Sequence, residues 1–260
     1  MKDQVAEHQG PIRINPIEVR SPQGDSLTVN PLGARIDLNL GTTPILTSVT
    51  RGDGKLGETH PCTPIFGPDK NNLYGLSQHG NMRNETCDVK SIGGDTVVIS
   101  HNITDSPGRY PQGVKIEQQL HVENGTFTFK MTHANDGEIE APVNGGEHCY
   151  FAAPQGYRGT LINGRDITSL IEADTTIPLE ASNIIKIPGL PGLTLTQEGF
   201  HFAMLWVGKN AQGQTDGNYV CIEPVEGDPL GSYFGSPESM IVPHSERTAQ
   251  FSISTNSSSA

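Results

Sequence analysis

One long stretch of alternation limits what this chain can fold into. In the first half of residues 113–133, GVKIEQQLHVENGTFTFKMTH, the apolar side chains fall on one face: Val114, Ile116, Leu120 and Val122. In the second half they again alternate with polar ones: Phe127, Phe129 and Met131. A period of two is that of a β-strand with one buried face. Asn124 and Gly125 tolerate the positive φ angles of a two-residue turn, so the sequence predicts a β-hairpin here.

The same alternation recurs along the chain. Residues 199–206, GFHFAMLW, place four large apolar side chains on one face: Phe200, Phe202, Met204 and Trp206. Four shorter segments are also typical of strands: GARIDLNL, DTVVIS, YVCIEP and AQFSIS. No segment combines a helical period with helix caps, and 30 Gly and 19 Pro residues indicate many turns. The pattern predicts an all-β fold, a large antiparallel β sandwich.

No linker or shift in composition divides the chain, and a β sandwich of 260 residues often forms one domain. We therefore predict a single domain over residues 1–260. Short flexible tails are expected at about 1–14 and 254–260, the second because STNSSSA is of low complexity.

The chain is acidic: 17 Lys and Arg residues against 29 Asp and Glu residues give a formal net charge of −12. Such a surface repels nucleic acid and anionic membranes. No apolar run approaches the ~18 residues of a membrane span, and the first residues contain no apolar signal-peptide core. We expect a cytoplasmic protein with neither nucleic acid nor membrane among its partners.

Familiar metal and cofactor motifs are missing from the sequence. The four cysteines form no CxxC pair, which argues against a zinc ribbon or a redox motif: Cys62, Cys87, Cys149 and Cys221. There is no HExxH, no Gly-rich phosphate loop and no GxSxG elbow. A metal site built from scattered histidines stays open, but our prediction is a protein that uses no metal and no cofactor.

Three polar positions interrupt the apolar pattern. His79 and Arg83 lie four residues apart in YGLSQHGNMRN, which has no clear period. His148 follows two glycines in NGGEHCYF, and Glu223 alternates with apolar residues in YVCIEPVEG. A carboxylate in an apolar strand is costly to bury without a partner. On the residues alone, each position is either an ordinary hydrogen-bonded or exposed polar group, or a member of a functional cleft.

The order and spacing of four segments resemble one family: THPCTPIFGP, GLSQHGNMRN, MTHANDGEIEAPVNGGEHCYF and VCIEP. From about residue 33 to 251 the chain is similar to the aldose 1-epimerase (galactose mutarotase) superfamily, nearest its hexose-6-phosphate 1-epimerase-like branch. The resemblance implies a galactose mutarotase-like supersandwich with the sugar in an open concave groove. It also implies that His148 is the general acid and Glu223 the general base.

The resemblance further implies which residues bind the sugar. Gln78, His79 and Arg83 would orient the substrate, and either Asp166 or Asp174 would contact hydroxyl groups.

Two residues depart from the family pattern. Asn81 and Cys149 stand where the family often has an aromatic residue and a proline. Both border the expected pocket, so they bear on the identity of the sugar more than on the reaction.

The chemistry suits these residue types. Opening a hemiacetal ring needs a base for the C1 hydroxyl proton and an acid for the ring oxygen. One carboxylate and one imidazole suffice, because histidine with a pKa near ~6.5 gives and retakes a proton at neutral pH. We predict an isomerase, an aldose 1-epimerase that interconverts the anomers of a free or phosphorylated hexose. Its partner is a monosaccharide, and it acts as a monomer or weak dimer.

Three alternatives remain at this point. The first is a non-catalytic carbohydrate-binding β sandwich, which would be indicated by loss of His148 or Glu223; both are present. A phosphorylated substrate would need a cationic cluster, for which five residues are available: Arg51, Lys55, Lys70, Arg83 and Arg158. A polysaccharide-processing enzyme would need a second carboxylate, for which Glu226 or Asp228 is available. The mutarotase hypothesis requires His79, His148 and Glu223 to meet in one groove.

Overall fold

The computed structural model describes residues 15–103 and 109–256. In chain order its strands are β1 Ile17–Arg20, β2 Ser26–Asn30, β3 Arg35–Leu40, β4 Thr43–Leu46, β5 Val49–Thr50, β6 Leu56–Gly57, β7 His60–Cys62, β8 Asp88–Gly93, β9 Thr96–Asn102, β10 Val114–Glu123, β11 Thr126–Asn135, β12 Ala141–Pro142, β13 Gly146–His148, β14 Tyr150–Ala152, β15 Leu161–Ile162, β16 Arg165–Asp166, β17 Thr176–Pro178, β18 Ser182–Lys186, β19 Leu193–Glu198, β20 Phe202–Trp206, β21 Tyr219–Val225, β22 Met240–Ile241 and β23 Ser245–Thr255. The helical segments are α1 Thr168–Glu172 and three 3-10 turns, Lys70–Asn72, Met82–Asn84 and Pro237–Ser239. Within the described ranges no helix has the length and apolarity to cross a membrane.

Two large antiparallel sheets dominate the fold. The first has ten strands, in the order β1-β2-β3-β4-β14-β21-β13-β7, with β20 also paired to β21 and β17 paired to β20. The second has nine strands, in the order β16-β15-β18-β19-β23-β11-β10-β9-β8. Apolar side chains of both sheets join in one core cluster. The predicted all-β sandwich is confirmed.

The predicted hairpin lies at the centre of the second sheet. Strands β10 and β11 pair from Val114↔Asn135 to Glu123↔Thr126. Asn124 and Gly125 between them have φ angles of 52° and 71°, as a two-residue turn requires. The apolar face of the hairpin is fully buried: Ile116, Leu120, Val122, Phe127, Phe129 and Met131. Each such side chain contributes about 1.5–3 kcal/mol by leaving water.

The expected tails fall only partly within the described residues. Residues 1–14 and 257–260 lie outside them. At the C-terminal end Ser254 pairs with Thr126 and Thr255 pairs with Leu193. Strand β23 therefore continues two residues past the boundary that low complexity suggested.

A chain of polar side chains, here called the relay, joins the two sheets; Arg247 is partly exposed and the others are buried. Nη1 of Arg247 donates to Oε2 of Glu226 at 3.2 Å, and Oε1 of Glu226 lies 3.3 Å from Nδ1 of His133. Nε2 of His133 forms a hydrogen bond of 2.7 Å with Oγ1 of Thr63. Glu226 and His133 are both buried, so the carboxylate depends on the arginine for a compensating charge.

Replacing Arg247 with methionine should lower the free energy of unfolding by about 3 kcal/mol, because Glu226 would stay buried without its cation. Denaturant unfolding measures the loss. Arg20→Met is the matched control, since Arg20 pairs with Glu18 on the surface, where such a pair contributes about 0–1 kcal/mol. Equal losses in the two variants would contradict a special role for the relay.

Candidate active site

A row of four side chains crosses four neighbouring strands of the ten-stranded sheet. His60 of β7 is in register with His148 of β13, and Glu223 of β21 is in register with Met204 of β20. The pairing of β21 with β13 and β14 places His148 opposite Glu223. Side chains directly opposite one another on paired antiparallel strands share a face. All four therefore project to the same side of the sheet.

A second row lies two residues further along the same face. It consists of Tyr150, Cys221 and Trp206, on β14, β21 and β20. The rings of the two rows pack together around His148. Its imidazole stacks on the ring of His60 at a centroid distance of 4.9 Å and on that of Tyr150 at 4.8 Å, and it meets Trp206 edge-on at 5.6 Å. Three neighbouring rings thus hold the orientation of this imidazole.

His148 and Glu223 form a close, buried pair. Nε2 of His148 lies 3.6 Å from Oε1 of Glu223, slightly beyond hydrogen-bond distance. Within the described residues, Oε1 of Glu223 and Nδ1 of His148 are buried without a hydrogen-bond partner. Folded proteins rarely leave buried polar atoms unpaired, and an unpaired one often marks a site that a ligand completes.

Burial moves the pKa values of this pair in opposite directions. It raises the pKa of Glu223 well above its usual range, and the negative charge of Asp174 raises it further. Burial lowers the pKa of His148 well below its usual value, with smaller contributions from the neighbouring His60 and His79. The pair is therefore favoured as a carboxylic acid beside a neutral imidazole over an ion pair of the two. It shares one proton, and the position of that proton decides which group is the acid.

The run YGLSQHGNMRN forms an anchored loop at this site. His79 and Gly80 both have positive φ, 63° and 71°. A Cβ on Gly80 would lie 1.8 Å from the carbonyl oxygen of Thr63, so only glycine fits there. The N–H of Gly67 donates to Nδ1 of His79 at 3.2 Å, which places the imidazole proton on Nε2. Burial lowers the pKa of His79 to about 3, so this ring is neutral.

Arg83 follows on the 3-10 turn Met82–Asn84. Its Nη1 lies 3.5 Å from Nε2 of His60, whose Nδ1 donates to the carbonyl oxygen of Glu58 at 2.6 Å. Burial lowers the pKa of His60 to about 4, so Nε2 of this ring is an acceptor for the guanidinium. Among the described residues no carboxylate lies within ion-pair distance of Arg83.

These groups line one cavity of about 630 Å³, which lies within the size range of small-molecule pockets. The guanidinium of Arg51 lies 5.0 Å from the ring centroid of Trp206 at its wall. Four cations line the cavity: Arg35, Arg51, Lys55 and Arg83. The cavity thus combines a buried acid–base pair with neutral imidazoles, aromatic rings and positive charge.

The structure brings together six of the seven residues that the sequence nominated. They are Gln78, His79, Arg83, His148, Asp174 and Glu223. Asp166 is not among them: it is exposed on β16 in the other sheet, where its Oδ1 accepts the N–H of Thr168 at 2.8 Å and stabilises a turn. Of the two aspartates left open, Asp174 is the one at the cavity. Its Oδ2 lies 3.0 Å from Nζ of Lys209.

Of the seven residues considered for the alternative functions, four do not line the cavity. Lys70 donates to backbone carbonyl groups, and Arg158 pairs with an acidic side chain in a separate hollow, so neither lines the cavity. Glu226 belongs to the relay. Asp228 accepts hydrogen bonds from a threonine hydroxyl and a backbone N–H outside the cavity lining. The cavity therefore contains neither of the carboxylates considered for a polysaccharide-processing reaction.

Two cavity residues were missed from the sequence. His60 stands in THPCTPIFGP, and nothing in that segment marks its register with His148. For Trp206 the alternation along β20 showed its face but not what that face contacts. In the structure the residues of the opposite face, Ala203 and Leu205, are fully buried in the core. The bulky face of β20 is therefore the one turned toward the cavity.

Three side chains of metal-binding type also lie together here, and two of them line the cavity. A ring nitrogen of His148, the sulfur of Cys221 and a carboxylate oxygen of Glu223 all lie within 4.8 Å of one another. The expectation of no metal site was drawn from spacing along the chain. Spacing along the chain does not show this set, because His148 lies on β13 and the other two residues lie on β21.

Comparison with known proteins agrees with this architecture. The chain is similar to a galactose mutarotase related enzyme from Lactobacillus acidophilus, with 16% identity and a TM-score of 0.74 over 94% of this chain and 98% of that one. It is also similar to a galactose mutarotase-like protein from Lactobacillus casei, with 15% identity and a TM-score of 0.72 over 93% and 100% of the two chains. No curated protein sequence matches significantly.

At such identities the solved structures establish the fold alone. The family follows from a sequence model described as aldose 1-epimerase, which matches residues 43–258. That range spans the strands that carry His60, His148 and Glu223 as well as the loop of His79. The chain belongs to the aldose 1-epimerase family.

Proposed function

We propose that the protein is an aldose 1-epimerase, or mutarotase, that interconverts the α and β anomers of a hexose by acid–base ring opening. The observation that carries the proposal is the buried pair on the cavity floor, with 3.6 Å between Nε2 of His148 and Oε1 of Glu223. In a cyclic hexose the ring oxygen and the anomeric hydroxyl are bonded to the same carbon, C1. The acid and the base must therefore lie side by side, as these two groups do.

The reaction uses the one proton that the pair shares. A proton shift from Glu223 to His148 gives a carboxylate and an imidazolium. Glu223 then takes the proton of the C1 hydroxyl while His148 protonates the ring oxygen, and the bond between C1 and the ring oxygen breaks to give the open aldehyde. After rotation about C1–C2 the ring closes on the other face, and both protons return. Each positioned group of this kind contributes typically ~10²–10⁴-fold to the rate.

Neighbouring side chains are suited to hold the sugar during this cycle. His79 carries its proton on Nε2 and is neutral, so it donates to a hydroxyl without adding charge. Gln78 and Asp174 offer an amide and a carboxylate at the same cavity. These groups fix hydroxyl positions and leave the proton transfers to His148 and Glu223.

Glu223→Gln should lower the turnover of anomer exchange by about two to four orders of magnitude, because the amide keeps the shape but cannot take the proton. Sugar binding should weaken far less. His148→Asn should behave likewise, and the double variant should be little worse than either single one, since both groups act in one step. Exchange is followed by NMR at saturating sugar, and binding by calorimetry.

Asp166→Asn is the control for this series, because it removes a carboxylate outside the cavity and should leave exchange unchanged. Undiminished exchange in Glu223→Gln would refute the mechanism. A wild-type protein that binds sugar but gives no exchange above buffer would support the alternative, a non-catalytic carbohydrate-binding sandwich.

One observation favours a phosphorylated hexose as the substrate. Three of the four cavity cations already have acidic partners: Arg35 lies 2.6 Å from Glu58, and Arg51 and Lys55 lie 2.8 Å and 4.0 Å from Asp53. Arg83 has no such partner among the described residues. A guanidinium in this position is suited to a phosphate, which it binds through two parallel hydrogen bonds.

Arg83→Ala should raise the KM for a hexose phosphate by about 10-fold or more while kcat changes little, because a hydrogen bond to a charged group contributes about 1.5–3 kcal/mol. The KM for the free hexose should rise less. Arg158→Ala removes a surface arginine outside the cavity and should change neither value. An equal rise in KM for both sugars would assign Arg83 to hydroxyl binding and remove the support for a phosphorylated substrate.

A further inference from the structure

A buried thiol lies beside the acid–base pair, and the acid–base reaction does not use it. Cys221 precedes Glu223 by two residues on β21, so both side chains project to the same face. Its sulfur, a ring nitrogen of His148 and an oxygen of Glu223 lie within 4.8 Å of one another, and all three side chains are buried. Oε1 of Glu223 and Nδ1 of His148 have no hydrogen-bond partner among the described residues.

We propose that His148, Cys221 and Glu223 form a binding site for one divalent metal ion of the zinc type, and that an ion bound there blocks the acid–base pair. The site is distinct in its chemistry from sugar binding, because it requires the sulfur of Cys221. Its entrance is the cavity itself, which both His148 and Glu223 line.

The ligand set fits zinc better than harder cations. Thiolate and imidazole ligands favour Zn²⁺ over Mg²⁺ or Ca²⁺, which prefer oxygen. Three protein ligands with a fourth position open to the cavity are the arrangement of an accessible zinc site rather than a closed structural one.

The geometry needs little adjustment. Zinc bonds of about 2.0–2.3 Å in a tetrahedron place ligand atoms roughly 3.3–3.8 Å apart. His148 and Glu223 already meet this separation at 3.6 Å. Since the sulfur lies within 4.8 Å of both partners, it has to approach by about 1.5 Å at most.

The charges also balance. On binding the metal, the thiol loses its proton to solvent and Glu223 is ionised. A thiolate and a carboxylate then neutralise the two positive charges of the ion, and the neutral imidazole completes the set. A buried centre of no net charge avoids the cost of an unpaired buried ion.

A second group of possible metal ligands differs from this set in exposure and in hydrogen bonding. Asp95, His121 and Glu123 also lie close together, but all three are partly or fully exposed. His121 is already engaged, since its Nδ1 forms a hydrogen bond of 2.9 Å with the hydroxyl of Thr96. No buried unpaired atom points to a ligand there, so we assign no site to it.

Cobalt(II) is the probe for the proposed site, because a cobalt–thiolate bond gives a charge-transfer band in the near ultraviolet. Protein treated with EDTA and then freed of it should show a band that saturates at one Co²⁺ per chain and that Zn²⁺ abolishes by displacement. Cys221→Ser should remove the band. Cys87→Ser, which changes another buried free thiol away from the cavity, should keep it.

Glu223→Gln tests the site through a second ligand and should weaken Co²⁺ binding by at least about 10-fold, the lower end of what a lost supporting contact costs a metal site. It also covers the case in which Cys221→Ser fails to fold, which a melting curve reveals. Absence of a saturable band in the wild type, or a band unchanged in Cys221→Ser, would overturn the proposal.

Inhibition is the second measurement, and it alone rests on the proposed function. Anomer exchange should continue after EDTA treatment, fall on addition of one equivalent of Zn²⁺ and recover with more EDTA. Cys221→Ser should retain exchange and need at least about 10-fold more Zn²⁺ for the same inhibition. Cobalt binding without any exchange in the metal-free wild type would refute the mutarotase and leave the metal site standing. Anomer exchange without cobalt binding would refute the metal site and leave the mutarotase standing. Exchange that continues unchanged with Zn²⁺ bound would overturn the proposed blockade.

Discussion

Glu223 and His148 face each other across two paired strands, and each would be costly to bury alone. Their closeness is a consequence of strand register. A slip of one residue between β13 and β21 would turn one side chain to the opposite face of the sheet and separate the imidazole from the carboxyl group. The hydrogen bonds that hold the ten-stranded sheet in register are therefore also the bonds that hold the reactive geometry.

The loop with His79 is fixed to the same framework through Thr63. The backbone N–H of Thr63 donates to the carbonyl oxygen of His79 at 3.1 Å, and Gly80 packs directly on the carbonyl of Thr63. The side chain of Thr63 ends the relay that runs through His133 to the nine-stranded sheet. The position of the His79 imidazole at the cavity thus depends on contacts that extend through the core to the opposite sheet.

Local patterns in the sequence predicted the parts of the structure that local physics controls. The alternation around Asn124 and Gly125 predicted the hairpin because side-chain period and turn chemistry are properties of neighbouring residues. The roles of His148 and Glu223 came from family resemblance, since alternation says only which face a residue takes. Asp166 and Asp174 were left as alternatives because an aspartate that caps a turn and one that lines a cavity look alike in sequence; the structure places Asp174 at the cavity and Asp166 outside it.

The residues that the sequence did not reveal share one property. His60 belongs to the site only because β7 pairs with β13, and Cys221 lies near His148 only because β21 pairs with β13 and β14; such long-range pairing leaves no trace in residue spacing. Trp206 was predicted in part. Its face was predicted, but whether that face turned to the core or to a cavity depended on which side the second sheet covered.

The packing of the His148 ring has a consequence for how movement is divided between protein and sugar. With His60, Tyr150 and Trp206 against it, the imidazole is held in one plane and cannot follow a reacting atom. Mutarotation nevertheless requires attack on both faces of the same aldehyde. In the proposed reaction the opened sugar would therefore have to rotate, and a cavity of about 630 Å³ leaves it room to do so. In the proposed reaction the side chains of the protein would stay fixed while the substrate changes its conformation.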